Sequence, residues 1–381
     1  MFSLKFDEMQ EQVRDTAAKF AKEEIAPSVI DRDINSKFPK EILEKLGELG
    51  FLGMMTDPDY GGSGLDAISY VLAITEIAKV DAGVTIVLSV QNSLVNWIIE
   101  TYGTEEQKQK YLIPLAEGKK LGAYCLSEPE AGSDARGLMT MAEDKGDYWL
   151  LNGMKNWIST GQNADVHIVF AQTNHELKHK GIAAFIVDAD SEGFEPGPKE
   201  DKMGMRTSDT CSISLTNVKV PKENLISEVG QGFYIAMTGL NGGRIGIAAQ
   251  SLGIAKGAYE ASVQYAKERK TMGIPIIKHQ MIQQKLAQMS MKIDAAEMLV
   301  LKAAWLRSNK EDHIKASSEA KLFASTTAVE VCREAVQIHG GYGYVREYHV
   351  ERMLRDSKVT EIYEGTSEIQ HIVIAREIER S

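Results

Sequence analysis

Cysteine is scarce in this chain of 381 residues. Its three cysteines are Cys125, Cys211 and Cys332, and none belongs to a C-x-x-C pair. An odd number of isolated cysteines excludes a disulfide framework and a cysteine zinc site. The sequence therefore predicts a protein that works in a reducing compartment.

Positive charge and long apolar runs are also in short supply. Lys and Arg number 43 against 54 Asp and Glu, and the net charge of −11 makes nucleic acid and anionic lipid poor partners. The most apolar long stretch, residues 83–99, is interrupted by Thr, Ser, Gln and Asn, which favours a buried helix over a membrane span. The amino terminus lacks the basic-then-apolar layout of a secretory signal. We therefore predict a cytoplasmic protein with no nucleic-acid or membrane partner.

What is present is the composition of a large globular protein, with 43% hydrophobic and 25% charged residues. A chain of 381 residues exceeds what one hydrophobic core usually supports, which indicates two or three domains. Helical periodicity covers residues 1–118, short β-rich runs fill residues 119–228, and long helical patterns return over residues 229–381. We predict a mainly α chain with a β insert: an N-terminal helical domain, a middle β-sandwich or small barrel, and a C-terminal helical bundle.

One motif points to a metal. His175, Glu176 and His179 match H-E-x-x-H, which on a helix binds zinc through its two imidazoles. The motif lies in a short polar stretch between two strand-like runs, where there is little room for a buried helix. We interpret it as a solvated turn between strands and predict no metal site.

Five separated segments carry most of the functional information. They are YCLSEPEAGSD (124–134), NGMKNWIST (152–160), ERKTMGIPIIKHQ (268–280), QIHGGYGY (337–344) and IYEGTSEIQ (362–370). In order and spacing they resemble the acyl-CoA dehydrogenases, and the resemblance spans nearly the whole chain. It implies a C-terminal four-helix bundle, FAD as cofactor, an acyl-CoA thioester as substrate, an electron-transfer flavoprotein as electron acceptor, and a homotetramer.

The segment IYEGTSEIQ contains the residue that the resemblance identifies as the catalytic base, Glu364. This carboxylate would remove the proton α to the thioester carbonyl while the β-carbon delivers hydride to flavin N5, giving a trans-2-enoyl-CoA. A free glutamate, with a pKa of about 4.3, is too weak a base, so we predict a dry pocket that raises its pKa. Locally, the sequence predicts a turn at Gly365 and then a helix in which Ser367 is the N-cap and Gln370 completes a capping box.

Some relatives carry the base immediately before an arginine of the bundle. Here that arginine is Arg244 and the residue before it is Gly243, which cannot act as a base, so this feature favours Glu364. Asn241 departs from the family, where Asp commonly contacts the CoA portion, and the charge is lost. The substrate contacts implied by the resemblance are Ser133, Asn241, Arg244, Tyr363 and Gly365.

The resemblance also implies the flavin contacts. Leu126 and Ser127 match positions at the pyrimidine side of the ring, and Trp157 and Ser159 match positions beside it; without the resemblance, Trp157 reads as a core aromatic. Arg269 and Thr271 match residues that reach the cofactor of a neighbouring subunit, although Met272 replaces the usual Phe. The remaining cofactor positions are Ser133, Gln280, Gln337, Gly341, Thr366 and Glu368.

Alternative functions remain open within the same fold. Residues 83–97 contain no Lys or Arg, which disfavours a decarboxylating enzyme for dicarboxylates, and related monooxygenases lack the Glu-Gly pair. We predict dehydrogenation of a short straight-chain substrate, with butyryl-CoA first. The alternatives are another chain length, a branched substrate, or a catalytically silent homologue that binds CoA or flavin.

Overall fold

The computed structural model describes residues 5–380. The first part of the chain is helical, and some of its helices begin at acidic caps: the Asp7 carboxylate accepts from the N–H of Gln10, and Asp66 caps the fourth helix. The helices are α1 (Glu8–Phe20), α2 (Val29–Asn35), α3 (Lys40–Glu48), α4 (Ala67–Ala78), α5 (Ala82–Ser89), α6 (Trp97–Tyr102), α7 (Glu105–Gln107) and α8 (Ile113–Ala116).

Helices α5 and α6 are joined by the π-helical segment Val90–Asn96, so that Ala82–Tyr102 runs as one rod. By length and composition this rod could cross a membrane, but 94% of its most apolar window is buried inside the protein. It is placed as a core helix, as the interrupted apolar pattern predicts.

The middle of the chain forms an eight-stranded sheet. Its order is β6-β7-β3-β2-β4-β5-β8, and β1 pairs with β4 in parallel. Strands β2 and β4 meet at the single pair Met141–Gln172, which divides the sheet into two halves. The halves share one apolar core, with Trp149 and Cys211 from one half and Phe185 from the other. The strands are β1 (Gly122–Cys125), β2 (Met141–Asp144), β3 (Tyr148–Ser159), β4 (Val166–Gln172), β5 (Ile182–Asp188), β6 (Phe194–Pro196), β7 (Thr210–Pro221) and β8 (Leu225–Ile226).

The H-E-x-x-H segment does not form an α-helix. His175–Gly181 is a 3-10 turn that connects the antiparallel strands β4 and β5, and Lys178 within it has a non-helical φ of 52°. The interpretation as a turn between strands is confirmed. Within residues 5–380, no group of three or more His, Cys, Asp or Glu side chains is arranged to hold a metal ion.

The last part of the chain is a bundle built on the long helix α9. Close approach of α9 to α4 depends on glycine, since a Cβ at Gly253 would lie 2.4 Å from the carbonyl oxygen of Thr75. A short hairpin, β9 (Lys270–Thr271) with β10 (Ile274–Pro275), precedes the second long helix. The helices are α9 (Gly232–Glu268), α10 (Gln280–Ser308), α11 (Ile314–His339), α12 (His349–Val359) and α13 (Ser367–Arg380).

One apolar core runs through all three parts of the chain. It contains Ile74 of the N-terminal helices, Ile168 and Phe170 on one face of the sheet, and Ile254 and Val331 of the bundle. Burial of such side chains is the main stabilising term of the fold.

Buried charged side chains also connect the three parts of the chain. Arg32 pairs with Asp81 at 2.9 Å, and the other oxygen of Asp81 accepts from the Thr207 hydroxyl of the middle part at 2.7 Å. Asp33 pairs with Arg355 of α12 at 2.6 Å. These contacts tie the N-terminal helices to both of the other parts.

Candidate active site

Glu364 lies in the turn between α12 and α13, on a strained backbone. Its φ is 54° and that of Gly365 is 89°, so two consecutive residues adopt a left-handed conformation. A non-glycine residue with positive φ carries a cost that the surrounding structure must offset, and such positions cluster at functional sites. The turn directs the Glu364 side chain into the protein, towards α9.

The prediction for the start of α13 is wrong in its details. The N-cap is Thr366, whose hydroxyl accepts from the N–H of Ile369 at 3.3 Å, and Ser367 is the first helical residue. The Gln370 side chain does not complete a capping box. It turns back and donates to the carbonyls of Glu364 at 3.2 Å and Gly365 at 2.8 Å.

The Glu364 carboxylate is shielded from solvent, although the residue as a whole is partly exposed. Its Oε2 is buried and has no hydrogen-bond partner within the described residues. Burial raises the pKa of Glu364 to about 7, against the opposing effect of the nearby Arg244 and Lys321. This is the predicted behaviour of a carboxylate prepared to accept a proton.

Gly243 on α9 is the residue against which this carboxylate packs. A Cβ at Gly243 would lie 2.3 Å from Glu364 Oε2 and 2.8 Å from its Cδ. Any side chain at position 243 would therefore compete with the Glu364 carboxylate for the same space. Positions 243 and 364, at which different relatives carry the base, are therefore in direct contact in this fold.

Arg244, the next residue, is buried and faces the same region. Its Nη1 donates to the Asn241 side-chain oxygen at 2.7 Å, and its buried Nε has no partner within residues 5–380. Burial lowers the pKa of Arg244 and Glu364 opposes that shift. The two substrate contacts implied on α9 are therefore hydrogen-bonded to each other beside the carboxylate.

Lys321 of α11 is a member of this site that the sequence reasoning missed. It is wholly buried, and its Nζ donates to the carbonyl of Gly365 at 2.8 Å. Ser317, Ala324 and Ala328 are buried on the same helix face. That spacing, at steps of three and four residues, was the available signal that Lys321 points inward.

A chain of hydrogen bonds between polar side chains lies next to the Glu364 turn. The Tyr363 hydroxyl donates to the side-chain oxygen of Gln250, whose amide donates to the carbonyl of Ala82 and to the Thr85 hydroxyl, both at 2.9 Å. Gln250 is seven residues, or two helical turns, beyond Gly243 and lies on the same side of α9. The next element, α5, is therefore held close to the Glu364 turn.

The residues implied for the flavin ring lie on two adjacent segments of the middle part. The N–H of Asn156 donates to the carbonyl of Ser127 at 2.9 Å. The β3–β7 register shifts between Lys155 and Ile158, and Trp157 has a φ of 61°, which turns its indole outward to 62% exposure. Trp157 is thus not the core aromatic that its residue type alone suggests.

These segments fit a flat heterocycle with a polar edge. Within residues 5–380, the side-chain hydroxyls of Ser127 and Ser159 make no hydrogen bond, and the Trp157 indole offers an uncovered aromatic face. Hydroxyl donors next to an aromatic face suit the isoalloxazine ring of FAD. Leu126, the residue directly before Ser127, is buried.

A buried ion pair joins the two segments. Lys155 Nζ lies 2.7 Å from Glu128 Oε1 and 3.3 Å from the carbonyl of Leu126. The Glu128 carboxylate also accepts from the N–H groups of Met139 at 2.6 Å and Thr140 at 3.1 Å. Burial acts to raise the pKa of Glu128, but Lys155 and these hydrogen bonds prevail and hold it below its ordinary value.

The remaining implied cofactor residues fall into separate groups. Thr366 and Glu368 lie at the start of α13, directly after the Glu364–Gly365 turn. Arg269, Thr271 and Gly341 line an open cavity of about 660 Å³ between the β9–β10 hairpin and the end of α11. Ser133, Gln280, Gln337 and Glu368 are exposed, and Met272 is 95% exposed. Arg269, Thr271 and Gly341 therefore share a cavity that is lined by neither Glu364 nor the residues of its turn.

Family models describe the chain in three consecutive parts: the acyl-CoA dehydrogenase N-terminal domain over residues 7–119, the middle domain over residues 123–218 and the C-terminal domain over residues 230–379. A short-chain specific acyl-CoA dehydrogenase of Clostridium acetobutylicum is 45% identical over 371 residues, 97% of this chain and 98% of that protein. The CarC subunit of the caffeyl-CoA reductase-Etf complex of Acetobacterium woodii is 46% identical, with the same coverage.

Solved structures agree with these matches. Butyryl-CoA dehydrogenase from Megasphaera elsdenii superposes with a TM-score of 0.98 at 46% identity, covering all of both chains. A chain from a study of the electron transferring flavoprotein of Acidaminococcus fermentans superposes with a TM-score of 0.99, also at 46% identity and full coverage. The chain belongs to the acyl-CoA dehydrogenase family, whose members are FAD-dependent enzymes.

Proposed function

We propose that this acyl-CoA dehydrogenase oxidises a short, straight-chain acyl-CoA to the trans-2-enoyl-CoA, with Glu364 as the base. The observation that supports this most directly is the placement of the Glu364 carboxylate, unpartnered and shielded, on a strained turn that aims it at Gly243. Strain of this kind is tolerated where a side chain must be held in one orientation.

In the proposed reaction, Glu364 takes the proton from the carbon α to the thioester carbonyl. Bound FAD supplies the two-electron acceptor for the hydride that leaves the β-carbon, so that the substrate loses two hydrogens and gains a double bond. The residues implied to hold FAD are Leu126, Ser127, Trp157 and Ser159 beside the ring. Proton transfer is efficient because the pKa of Glu364, about 7, is close to neutral pH.

The α-proton must also be made more acidic, which requires a hydrogen-bond donor at the thioester oxygen. The backbone N–H of Glu364 donates to no acceptor within residues 5–380. It belongs to the same residue as the base, so a carbonyl bound there would place its α-carbon near the carboxylate. This free N–H supports a second role for Glu364, as hydrogen-bond donor to the thioester oxygen.

The preference for a short chain rests on the contacts beyond the carboxylate. Tyr363 and Gln250 are hydrogen-bonded to each other, and Gln250 is also tied to α5. Lengthening the acyl chain past this point would separate buried polar groups from their partners, at a cost of about 1–3 kcal/mol for each group left unsatisfied.

We further propose an electron-transfer flavoprotein as electron acceptor, a homotetramer, and the cytoplasm as location. The similar CarC protein is named as a subunit of a reductase-Etf complex. The similar Acidaminococcus fermentans chain comes from a study of an electron transferring flavoprotein. The exposure of Arg269, Thr271 and Gly341 on one open cavity supports a contact with the cofactor of a neighbouring subunit. Three free, buried cysteines suit a reducing compartment.

The function is tested by the colour of the purified protein. We expect a yellow protein whose flavin absorbance bleaches when butyryl-CoA is added without oxygen, and turnover that falls from C4 to C8 to C16 thioesters. Stopped-flow absorbance with each thioester measures both. A protein that binds butyryl-CoA and stays oxidised would be a silent homologue, and a maximum at C16 would refute the short-chain preference.

Gly243→Ala tests the contact between α9 and the base. Because the new Cβ would lie 2.3 Å from Glu364 Oε2, the carboxylate must move, and misplacement by about 1 Å can reduce a rate by roughly 100-fold. We expect FAD content and butyryl-CoA binding to be retained while flavin reduction slows. Gly137→Ala, at an exposed position without positive φ where the nearest atom to the new Cβ is 4.0 Å away, controls for the added methyl group. An unchanged reduction rate in Gly243→Ala would contradict the proposed position of the base.

A further inference from the structure

Lys321 is a buried cation with a defined contact at the active site. It lies on the inner face of α11, has no solvent exposure, and donates from Nζ to the carbonyl of Gly365 at 2.8 Å. Burying a lysine ammonium costs free energy, because its charge is removed from water, unless the protein provides partners for it. Its hydrogen-bond partner is the residue directly after Glu364.

The Glu364–Gly365 turn is held from two sides. Lys321 of α11 donates to the Gly365 carbonyl, and Gln370 of α13 donates to the same carbonyl at 2.8 Å and to that of Glu364 at 3.2 Å. The turn has positive φ at both residues and needs such support to persist. Gln370 contributes hydrogen bonds alone, whereas Lys321 adds a positive charge.

Several ionisable side chains surround Lys321 and Glu364. The cation next to Lys321 is Arg244, which is already hydrogen-bonded to Asn241. The ionisable side chains that interact with Glu364, Lys321 or their immediate partners are Tyr70 on α4, Tyr124 on β1, Arg244 on α9, Arg307 on α10 beside Tyr70, Glu361 and Tyr363 before the turn, and Glu368 and Arg376 on α13.

We propose that Lys321 is a positioning residue for the dehydrogenation: it fixes the Gly365 carbonyl, and with it the Glu364 turn, and its charge keeps the base ionised in a site that excludes water. The proposal rests on the proposed role of Glu364 as base. Lys321 acts through Glu364 and not on the substrate.

The sign of the effect follows from electrostatics. A nearby positive charge favours the carboxylate, and Lys321 lowers the pKa of Glu364 against the dominant effect of burial. Removing the charge therefore raises that pKa, so a higher pH is needed before the base is ionised. Since Arg244 remains, we expect a shift of about one pH unit, the lower end of what a close opposite charge produces.

The experiment measures kcat/KM for butyryl-CoA against pH in the FAD-loaded enzyme. The acidic limb of this profile reports the base of the free enzyme, and we expect it near pH 7 in the unmodified protein. Lys321→Met removes charge and hydrogen bond together, whereas Lys321→Gln removes the charge and leaves an amide that can donate. Both should move the limb upward by about one unit.

Three further variants separate the effect of the Lys321 charge from that of the hydrogen bonds that hold the Glu364–Gly365 turn. Lys321→Arg keeps the charge, so its limb should stay in place even where its rate falls. Gln370→Met removes the neutral support, so it should slow flavin reduction without moving the limb. Lys315→Met removes an exposed lysine from the same helix and should change neither. FAD content and thermal unfolding are measured for each variant, and Lys321→Gln carries the test where Lys321→Met does not fold.

The outcomes distinguish this inference from the proposed function. If Glu364→Gln keeps its turnover, the base is misassigned and the role of Lys321 falls with it. If Glu364→Gln is inactive but the acidic limb of Lys321→Gln coincides with that of the unmodified enzyme, the role of Lys321 alone is refuted.

Discussion

Glu364→Gln is expected to lower the rate of flavin reduction by butyryl-CoA on the order of 10³- to 10⁴-fold, the upper range for loss of a general base. The amide has the shape of the carboxylate but cannot accept a proton. It should still fill the space beside Gly243, where the carboxylate packs on α9. Substrate binding and FAD content should therefore be close to those of the unmodified enzyme.

The stability of this variant should not fall. Burial disfavours the charged form of Glu364, as its raised pKa of about 7 shows, and a neutral amide avoids that penalty at pH above 7. Anaerobic stopped-flow spectroscopy gives the rate, and thermal unfolding gives the stability. Glu347→Gln, at an exposed position between α11 and α12, is the matched control and should bleach normally. Rapid bleaching of Glu364→Gln would show that another group takes the proton.

Lys155→Met is expected to produce the largest loss of stability, on the order of 3–5 kcal/mol, because it leaves the Glu128 carboxylate buried without its counter-charge. The side chains of the pair are 0% and 3% exposed, so water cannot replace the ammonium. Since Lys155 also contacts the carbonyl of Leu126, the affinity for FAD should fall as well. Urea unfolding and reconstitution of the apoprotein with FAD measure the two effects.

Two variants make the result specific. In Lys155→Met with Glu128→Gln, the uncompensated charge is gone, and much of the stability should return. Lys145→Met breaks an exposed pair of the same type, with Glu143 at 2.5 Å in the same part of the chain, and should cost no more than about 1 kcal/mol. Equal losses in Lys155→Met and Lys145→Met would contradict a special role for the buried pair.

Much of this architecture can be predicted from sequence because it depends on local patterns. The β-rich runs DTCSISLTNVKV and DYWLLNGMKNWIST predict two strands, and the structure forms β7 and β3 from them. Glycine after Glu364 predicts a turn, and positive φ is found at Gly365. In each case neighbouring residues contain the information.

The sequence reasoning fails where a contact joins distant residues or where adjacent residues can play the same part. Thr366 and Ser367 are both suitable N-caps, and only the geometry shows that Thr366 is used. The contact of Lys321 with Gly365 spans 44 residues, and no local pattern specifies it. Gln370 matches a capping box by position but finds better acceptors in the folded turn.

The apolar core that runs through all three parts of the chain couples the unfolding of each part to that of the others. Removing the third part would leave Asp33 without Arg355, and removing the second would leave the buried Asp81 without the Thr207 hydroxyl. Although the family divides into three sequence domains, this chain should melt cooperatively, as one unit. Fragments cut at the domain boundaries would expose apolar surface that is inner core in the intact enzyme, and should aggregate.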